Sequence, residues 1–371
     1  MNYNKEPSLV NISNSILKHF GVDTFHDSIP EIDKALKGHK KIVLVLFDGM
    51  GKNITRLHLK EDSFIRSHYV MTINSTFPPT TAAATTSLLT GKYPIETGWL
   101  GWNTYFPELD RNIILFRGTD INTKEVIDKD IAYKKYPNKS IFDLINEKGT
   151  AKASAIQRYP IQTKGPKSLR KGAKMIKKTL KGSENSFIYF YWDSPDYEMH
   201  ENGIEHKRVH KQVKKIDKFL KKITKQNKDA LFILLADHGH INIKILDICD
   251  HEDLYSCLSK KVTLEKRCPS FFVKIDKRQE FESLFNKYYG KYFELYSKEE
   301  VLKNHIFGVG EPKPGVLDSF GDYLAIAKTE YSLTASKEFI RDTKRKPFIY
   351  KGHHAGGTKE EREIDVSVYN Q

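Results

Sequence analysis

Four acidic-and-histidine segments are spread along the 371 residues. They are Asp48 in IVLVLFDGMG, Asp196 with His200 in FIYFYWDSPDYEMH, Asp237 with His238 in LFILLADHGH, and His354 in GHHAGG. A fifth segment, FPPTTAAATTSLLTG, brings hydroxyls to the start of an expected helix. Carboxylates, imidazoles and one hydroxyl gathered at strand ends form the donor set of a two-metal hydrolytic centre. Each segment also has an ordinary reading. Asp-Gly is a common turn, histidine among glycines suits a mobile loop, and threonine at a helix start is most often an N-cap. Their order and joint chemistry carry the case.

Asp48 ends an apolar run, and ligands in open α/β sheets gather at the C-terminal ends of strands. Asp196 and His200 lie four positions apart after a second apolar run, so a helix there puts both on one face. Pro195 suits the first helical turn, and Asp193, which ends the strand, competes with Asp196. Asp237 and His238 end a third apolar run, where Gly239 relieves crowding as the chain turns. His240 reads as a further ligand, a substrate contact or a solvated loop histidine. The hydroxyl segment offers a phosphate the free N–H groups and positive dipole end of a helix. A threonine at that point suits a nucleophile.

These residues need strands that end together. KKIVLVLF, SFIYFYWD and DALFILLAD are nearly all apolar, as parallel strands covered on both faces are. HYVMTINS, RNIILFRG and AKASAIQ are further strands. TAAATTSLLTG and SIFDLINEKG read as helices stopped by glycine. A basic helix is expected over about 167–181 and a long one over about 205–226. In the long helix Val209, Val213, Ile216, Leu220 and Ile223 form one apolar stripe. Strands alternating with helices predict an α/β fold with a mainly parallel central sheet. After Asp237 the texture changes, which predicts a small α+β cap insert over 245–320. The catalytic domain then comprises 1–244 with 321–371.

The formal net charge is +14. Its lysines fall on the outer faces of helices, and no aromatic residues interleave with them as a nucleic-acid platform requires. The charge is therefore read as a solvated surface. Cys249, Cys257 and Cys268 form no paired motif and no disulfide framework. No apolar run reaches the length of a membrane span, and the N-terminus carries no signal pattern, so a cytoplasmic location is expected.

Strand-end Asp, threonine ahead of LLTG, DxxxH, DHG and a late His, in this order, resemble the alkaline phosphatase superfamily. The type I phosphodiesterase/nucleotide pyrophosphatase branch is the most similar. TGKYPIETGW is similar to its TG-x-YP-x-x-x-G stretch. The resemblance implies an alkaline-phosphatase-like three-layer fold and two divalent metal ions, Zn2+ or alternatively Mn2+. Asp48, Thr81, Asp237 and His238 would hold one ion, and Asp196, His200 and His354 the other. Thr81 is the implied nucleophile and Thr80 the alternative, because relatives place it nine residues before the Thr of TG, here Thr90. The family's phosphate-binding asparagine would fall at Trp102, one position before Asn103. Trp99, Trp102 and Tyr105 follow the nucleophile helix and are expected to line the substrate groove or to pack in the core. The Cys/Ser-Pro-Ser-Arg pattern of sulfatases is absent. The implied activity is hydrolysis of phosphodiester or pyrophosphate bonds in a small anionic substrate. Phosphomonoester or phosphonate hydrolysis is the alternative on the same site, and a non-catalytic anion or nucleic-acid binder is the alternative of another class. No arginine lies in the motif segments, which favours diesters.

Overall fold

The computed structural model describes residues 6–158, 165–339 and 349–370. Its central sheet has six strands: β1 (Lys41–Phe47), β2 (Tyr69–Asn74), β3 (Lys152–Ile156), β4 (Ser186–Trp192), β5 (Leu231–Leu235) and β6 (Glu363–Tyr369), in the order β2-β6-β5-β1-β4-β3. β3, β4, β1 and β5 pair in parallel, and β6 alone runs against its neighbours β5 and β2. β1 and β5 are buried along almost their whole lengths, which is why they read as unbroken apolar runs.

Helices cover the sheet in two groups. α1 (Leu9–His19) touches α2 (Thr81–Thr90) and the helix Ile141–Lys148. α3 (Leu169–Lys181) and the helix Lys52–His58 both touch α5 (Lys207–Gln226). Between these groups, α4 (Asp196–Asn202) begins directly after β4. On α5 the expected stripe of Val209, Val213, Ile216, Leu220 and Ile223 is buried, while Lys214, Lys215, Lys221 and Lys222 face solvent. Each such buried aliphatic side chain contributes about 1.5–3 kcal/mol, so the stripe, not the lysines, fixes the helix. The result is an α/β fold with a mostly parallel central sheet, as expected.

The register of the core strands creates the site. Phe47 pairs with Trp192 and Leu46 with Leu235, so β1, β4 and β5 end at one edge. Asp48, Asp193 and Asp237 leave the sheet there within one or two residues of each other's level.

Beyond this edge lie small antiparallel sheets. One is a meander of Asn103–Phe106, Arg111–Ile114 and Thr119–Asp120. Another joins Thr263–Glu265, Cys268–Phe271, Tyr323–Ala327 and Phe293–Ser297. Tyr323–Ala327 thus pairs with the strands of the inserted segment, and Tyr331–Thr334 pairs with Lys244–Asp247. No break in pairing falls at residue 320. Leu264, Cys268, Phe320 and Leu324 share an apolar core with Trp99, Leu100 and Phe106. No helix among the described residues is long and apolar enough to cross a membrane.

Candidate active site

Asp48 continues β1, and its N–H donates to Trp192 O at 3.0 Å, while the Asp196 N–H donates to Asp48 O at 3.2 Å. The chain must turn sharply here. Gly49 has φ +70°, and a Cβ on it would lie 2.9 Å from Met199 Cε and 3.0 Å from Asp196 Cβ. Glycine is what allows the β1 turn to press against α4. The Tyr191 hydroxyl, projecting from β4, donates to Asp48 Oδ2 and fixes the carboxylate.

Thr81 opens α2, with Thr80 as its extended N-cap. The Thr81 hydroxyl lies 3.3 Å from Asp48 Oδ1 and 3.2 Å from His238 Nε2. Asp237 Oδ1 accepts from the N–H groups of Gly49 and His238, at 3.0 and 3.1 Å. Its Oδ2 faces His238 Nε2 at 3.5 Å and has no hydrogen-bond partner.

The second group centres on Asp196. His200 Nε2, one helical turn along α4, is 3.3 Å from its Oδ2. His240 Nε2 is 3.4 Å and His354 Nε2 3.8 Å from its Oδ1. Asp196, His200, His240 and His354 offer one ligand atom each within 4.8 Å of one another, and so do Asp48, Asp196 and His238. Asp196 stands in both groups. His354 follows the short strand Gly352–His353, which pairs antiparallel with the distant Ile241–Asn242.

Three of the histidines are oriented alike. His200 Nδ1 meets Gly352 O at 3.0 Å, His238 Nδ1 meets Gly239 O at 2.9 Å, and His354 Nδ1 meets Pro79 O at 3.0 Å. A carbonyl on Nδ1 holds the proton there and leaves the Nε2 lone pair free to ligate, which is how metal-ligating histidines are positioned. His240 differs, because neither ring nitrogen has a hydrogen-bond partner, although its Nε2 faces Asp196 Oδ1 at 3.4 Å.

The electrostatics are strained without a cation. Burial and the charge of Asp48 push Asp237 well above the usual carboxylate range. Burial opposes charge on His238, yet the Asp237 and Asp48 carboxylates raise it to about 10. Burial alone would raise Asp196, but His200 and His240 hold it well below its ordinary value. Burial lowers His240 to about 4 and takes His354 well below its ordinary value. Buried carboxylates that repel one another, neutral imidazoles and unpartnered oxygens are what divalent cations would satisfy. The residues present fit such ions.

A cleft of about 590 Å³ opens above Thr81, Asp48, Asp196, His200 and His354. Trp102 and Asn103 line it. The Asn103 amide is already engaged, donating to Leu264 O and accepting from Thr263 Oγ1 at 3.3 Å. Tyr105 does not line the cleft. Two residues farther along its strand, about 7 Å on, its hydroxyl donates to Asp110 Oδ1 at 2.6 Å and its ring packs on Phe272. Trp99 is buried against Phe116 and Tyr133 in the core. Sequence reasoning missed the burial of His240 within the Asp196 group. Its one signal was the alternation of histidine and glycine in DHGH. Arg117, Lys124 and Lys266 also line the cleft from segments with no motif.

Residues 42–347 match the family model described as type I phosphodiesterase/nucleotide pyrophosphatase. Among solved structures, human ectonucleotide pyrophosphatase/phosphodiesterase 5 superposes with a TM-score of 0.65 at 17% identity, covering 89% of this chain and 88% of that one. The murine protein gives 0.63 at 17% identity, covering 89% and 88%. An inactive variant of the murine protein in complex with AMP gives 0.63 at 16% identity, covering 90% and 88%. No curated protein matches significantly by sequence. The family match spans most of the chain and takes in the site residues from Asp48 to His240, so the chain belongs to the type I phosphodiesterase/nucleotide pyrophosphatase family of hydrolases.

Proposed function

We propose that the protein hydrolyses phosphodiester or pyrophosphate bonds with Thr81 as the nucleophile. The observation that carries this reading is the Thr81 hydroxyl, held between Asp48 and His238 at the foot of the cleft. Asp48, Thr81, Asp237 and His238 would hold one divalent cation, and Asp196, His200 and His354 a second, with His240 added by its burial against Asp196. Zn2+ is the ion that this mixed imidazole and carboxylate set favours, and Mn2+ is the alternative. When bound, the ions would supply positive charge to the phosphoryl oxygens and lower the pKa of the threonine hydroxyl.

The chain's own groups do the rest. Asp48 orients the Thr81 oxygen and is itself held by the Tyr191 hydroxyl. Thr81 Oγ1 attacks phosphorus, its O–P bond forms as the bond to the leaving oxygen breaks, and a phosphothreonine ester remains. Water then breaks that ester and restores the hydroxyl. The free N–H groups at the start of α2 lie beside Thr81 and favour the phosphoryl charge. The segment expected over 245–320 would serve as a cap that shapes the cleft, and Tyr323–Ala327 pairs with its strands.

A screen of phosphodiesters and pyrophosphates with added Zn2+ or Mn2+ tests the reading. Thr81→Ala should lower turnover at least about 10⁴-fold while the protein keeps its metal, since removing a nucleophile leaves only residual catalysis. Full activity in Thr81→Ala would exclude the nucleophile assignment. Preferred turnover of 4-nitrophenyl phosphate over bis(4-nitrophenyl) phosphate would favour a monoesterase, a reading to which the cations of the cleft wall give some footing.

A further inference from the structure

Three cations reach the cleft from segments that carry no catalytic motif. Arg117 and Lys124 are exposed and flank the meander strand Thr119–Asp120, while Lys266 is half-buried in the turn between Thr263–Glu265 and Cys268–Phe271. Lys266 Nζ sits 4.2 Å from the centre of the Tyr350 ring. Among the described residues it forms no ion pair, and burial together with the charge of Lys124 lowers its pKa to about 8. A lysine recessed in a cleft usually has a carboxylate partner. The nearest acid in sequence, Glu265, lines the same cleft and its charge offsets part of the pKa lowering, yet it makes no ion pair with Lys266, and its Oε1 accepts from the Trp102 N–H at 2.6 Å.

The backbone around Lys266 is held firmly. Leu333 N donates to Lys266 O at 2.8 Å. The neighbouring Arg267 is fully buried and doubly paired with Glu361 at 2.6 and 2.8 Å. Glu361 also accepts from Gly356 N, two residues beyond His354, at 2.7 Å. The backbone that carries Lys266 is therefore braced against the segment that carries His354, and the ammonium rests over the Tyr350 ring. A preorganised cation costs little ordering when an anion arrives.

The remaining acids of the cleft do not satisfy it. Asp193 lies at the β4 end, where burial and the charge of Asp48 raise its pKa. Asp120 offsets part of the Lys124 charge, and the Lys124 Nζ donates to Ile121 O. Trp102 and Tyr350 give this part of the cleft apolar faces as well, with Arg117 Cζ 5.6 Å from the Trp102 ring.

Resting on the phosphoryl hydrolysis proposed above, we infer that Lys266, helped by Lys124 and Arg117, binds a second anionic group of the substrate. The preferred substrates carry a phosphate or carboxylate beyond the scissile phosphoryl group, and Lys266 selects for it. Lys266 is a specificity residue and takes no part in bond breaking.

The test uses the metal-loaded enzyme and the variants Lys266→Met and Lys124→Met. ATP serves as the doubly anionic substrate, and bis(4-nitrophenyl) phosphate as the ester with no second anion. Lys266→Met should raise KM for ATP at least about tenfold, the usual size of a lost charge-assisted contact. It should leave kcat/KM for bis(4-nitrophenyl) phosphate within about twofold of wild type by the same argument. Equal losses on both substrates, an unchanged KM for ATP, or a loss confined to 4-nitrophenyl phosphate would overturn the inference. Calorimetry with inorganic pyrophosphate and with phosphonoacetate separates a phosphate from a carboxylate as the second anion. Neither binding more tightly than inorganic phosphate would also overturn it. If the wild type turns over none of the esters, the hydrolytic reading fails, while weaker pyrophosphate binding in Lys266→Met still upholds the subsite. Should Lys266→Met not fold, the exposed Lys124→Met carries the same comparison, with a smaller loss on ATP expected and none overturning the claim.

Discussion

His240→Ala separates a ligand from a packed histidine. The imidazole is fully buried, 3.4 Å from Asp196 Oδ1, and neither nitrogen has a hydrogen-bond partner. Gly352 leaves room for it, since a Cβ there would lie 2.9 Å from His240 Cε1. If the ring ligates an ion, its removal leaves Asp196, His200 and His354 to hold that ion. Loss of a group that merely orients a ligand costs about 10–100-fold in metal affinity, so loss of a ligand should cost about 100-fold or more. The stability of the loaded protein then follows. At a metal concentration 100 times the wild-type Kd, occupancy adds about 2.7 kcal/mol, and a site weakened 100-fold adds only about 0.4 kcal/mol. Elemental analysis after dialysis, titration calorimetry and urea unfolding with and without metal measure these quantities. Wild type should bind two ions. His240→Ala should retain one tightly and lose about 2.3 kcal/mol of metal-dependent stability. Without metal it should lose only the packing of the ring and its contact with Asp196. Two equivalents bound by His240→Ala with unchanged affinity would refute the ligand assignment.

Other expectations concern the frame of the site. Arg267→Met leaves the Glu361 carboxylate buried and unpaired between Gly356 and Thr358, and should cost about 3–5 kcal/mol in urea unfolding. Adding Glu361→Leu should recover part of that loss, and no recovery would show that the pair itself is not the cause. Glu338 is raised by burial to about 7 from an ordinary 4.5, although both of its carboxylate oxygens accept from Val262 N at 3.0 Å. A carboxyl with a raised folded pKa binds its proton more tightly when folded, so its contribution is full below pH 4.5 and is lost as pH rises to about 7. The gap corresponds to about 3 kcal/mol, and Glu338→Gln should flatten the decline in stability over that window. An unchanged slope in the variant would place the titration elsewhere.

The parts of the site that could be read from sequence are those fixed by one strand and its next few residues. A parallel strand buried on both faces has an apolar signature, and its end is marked where a charge appears, as at Asp48, Asp193 and Asp237. Asp196 and His200 were legible for the same reason, because one turn of α4 sets their spacing. His240 was not, because its environment is made by a distant event. It becomes buried only when Gly352–His353 pairs with Ile241–Asn242, and two residues of strand carry no periodicity to read. The same holds for the small sheets beyond the strand ends. Tyr323–Ala327 is apolar enough for either sheet, and only its antiparallel partners, Cys268–Phe271 and Phe293–Ser297, assign it. Lys266 combines both difficulties, since on a lysine-rich chain one more lysine in a turn looks like surface. What distinguishes it is Arg267 beside it, which ties the turn to Glu361 and so to the segment bearing His354. On the proposed function, specificity is written in long-range pairing and the chemistry at strand ends. Substitutions in the turn at 266–267 should therefore change which esters are cleaved before they change how cleavage occurs.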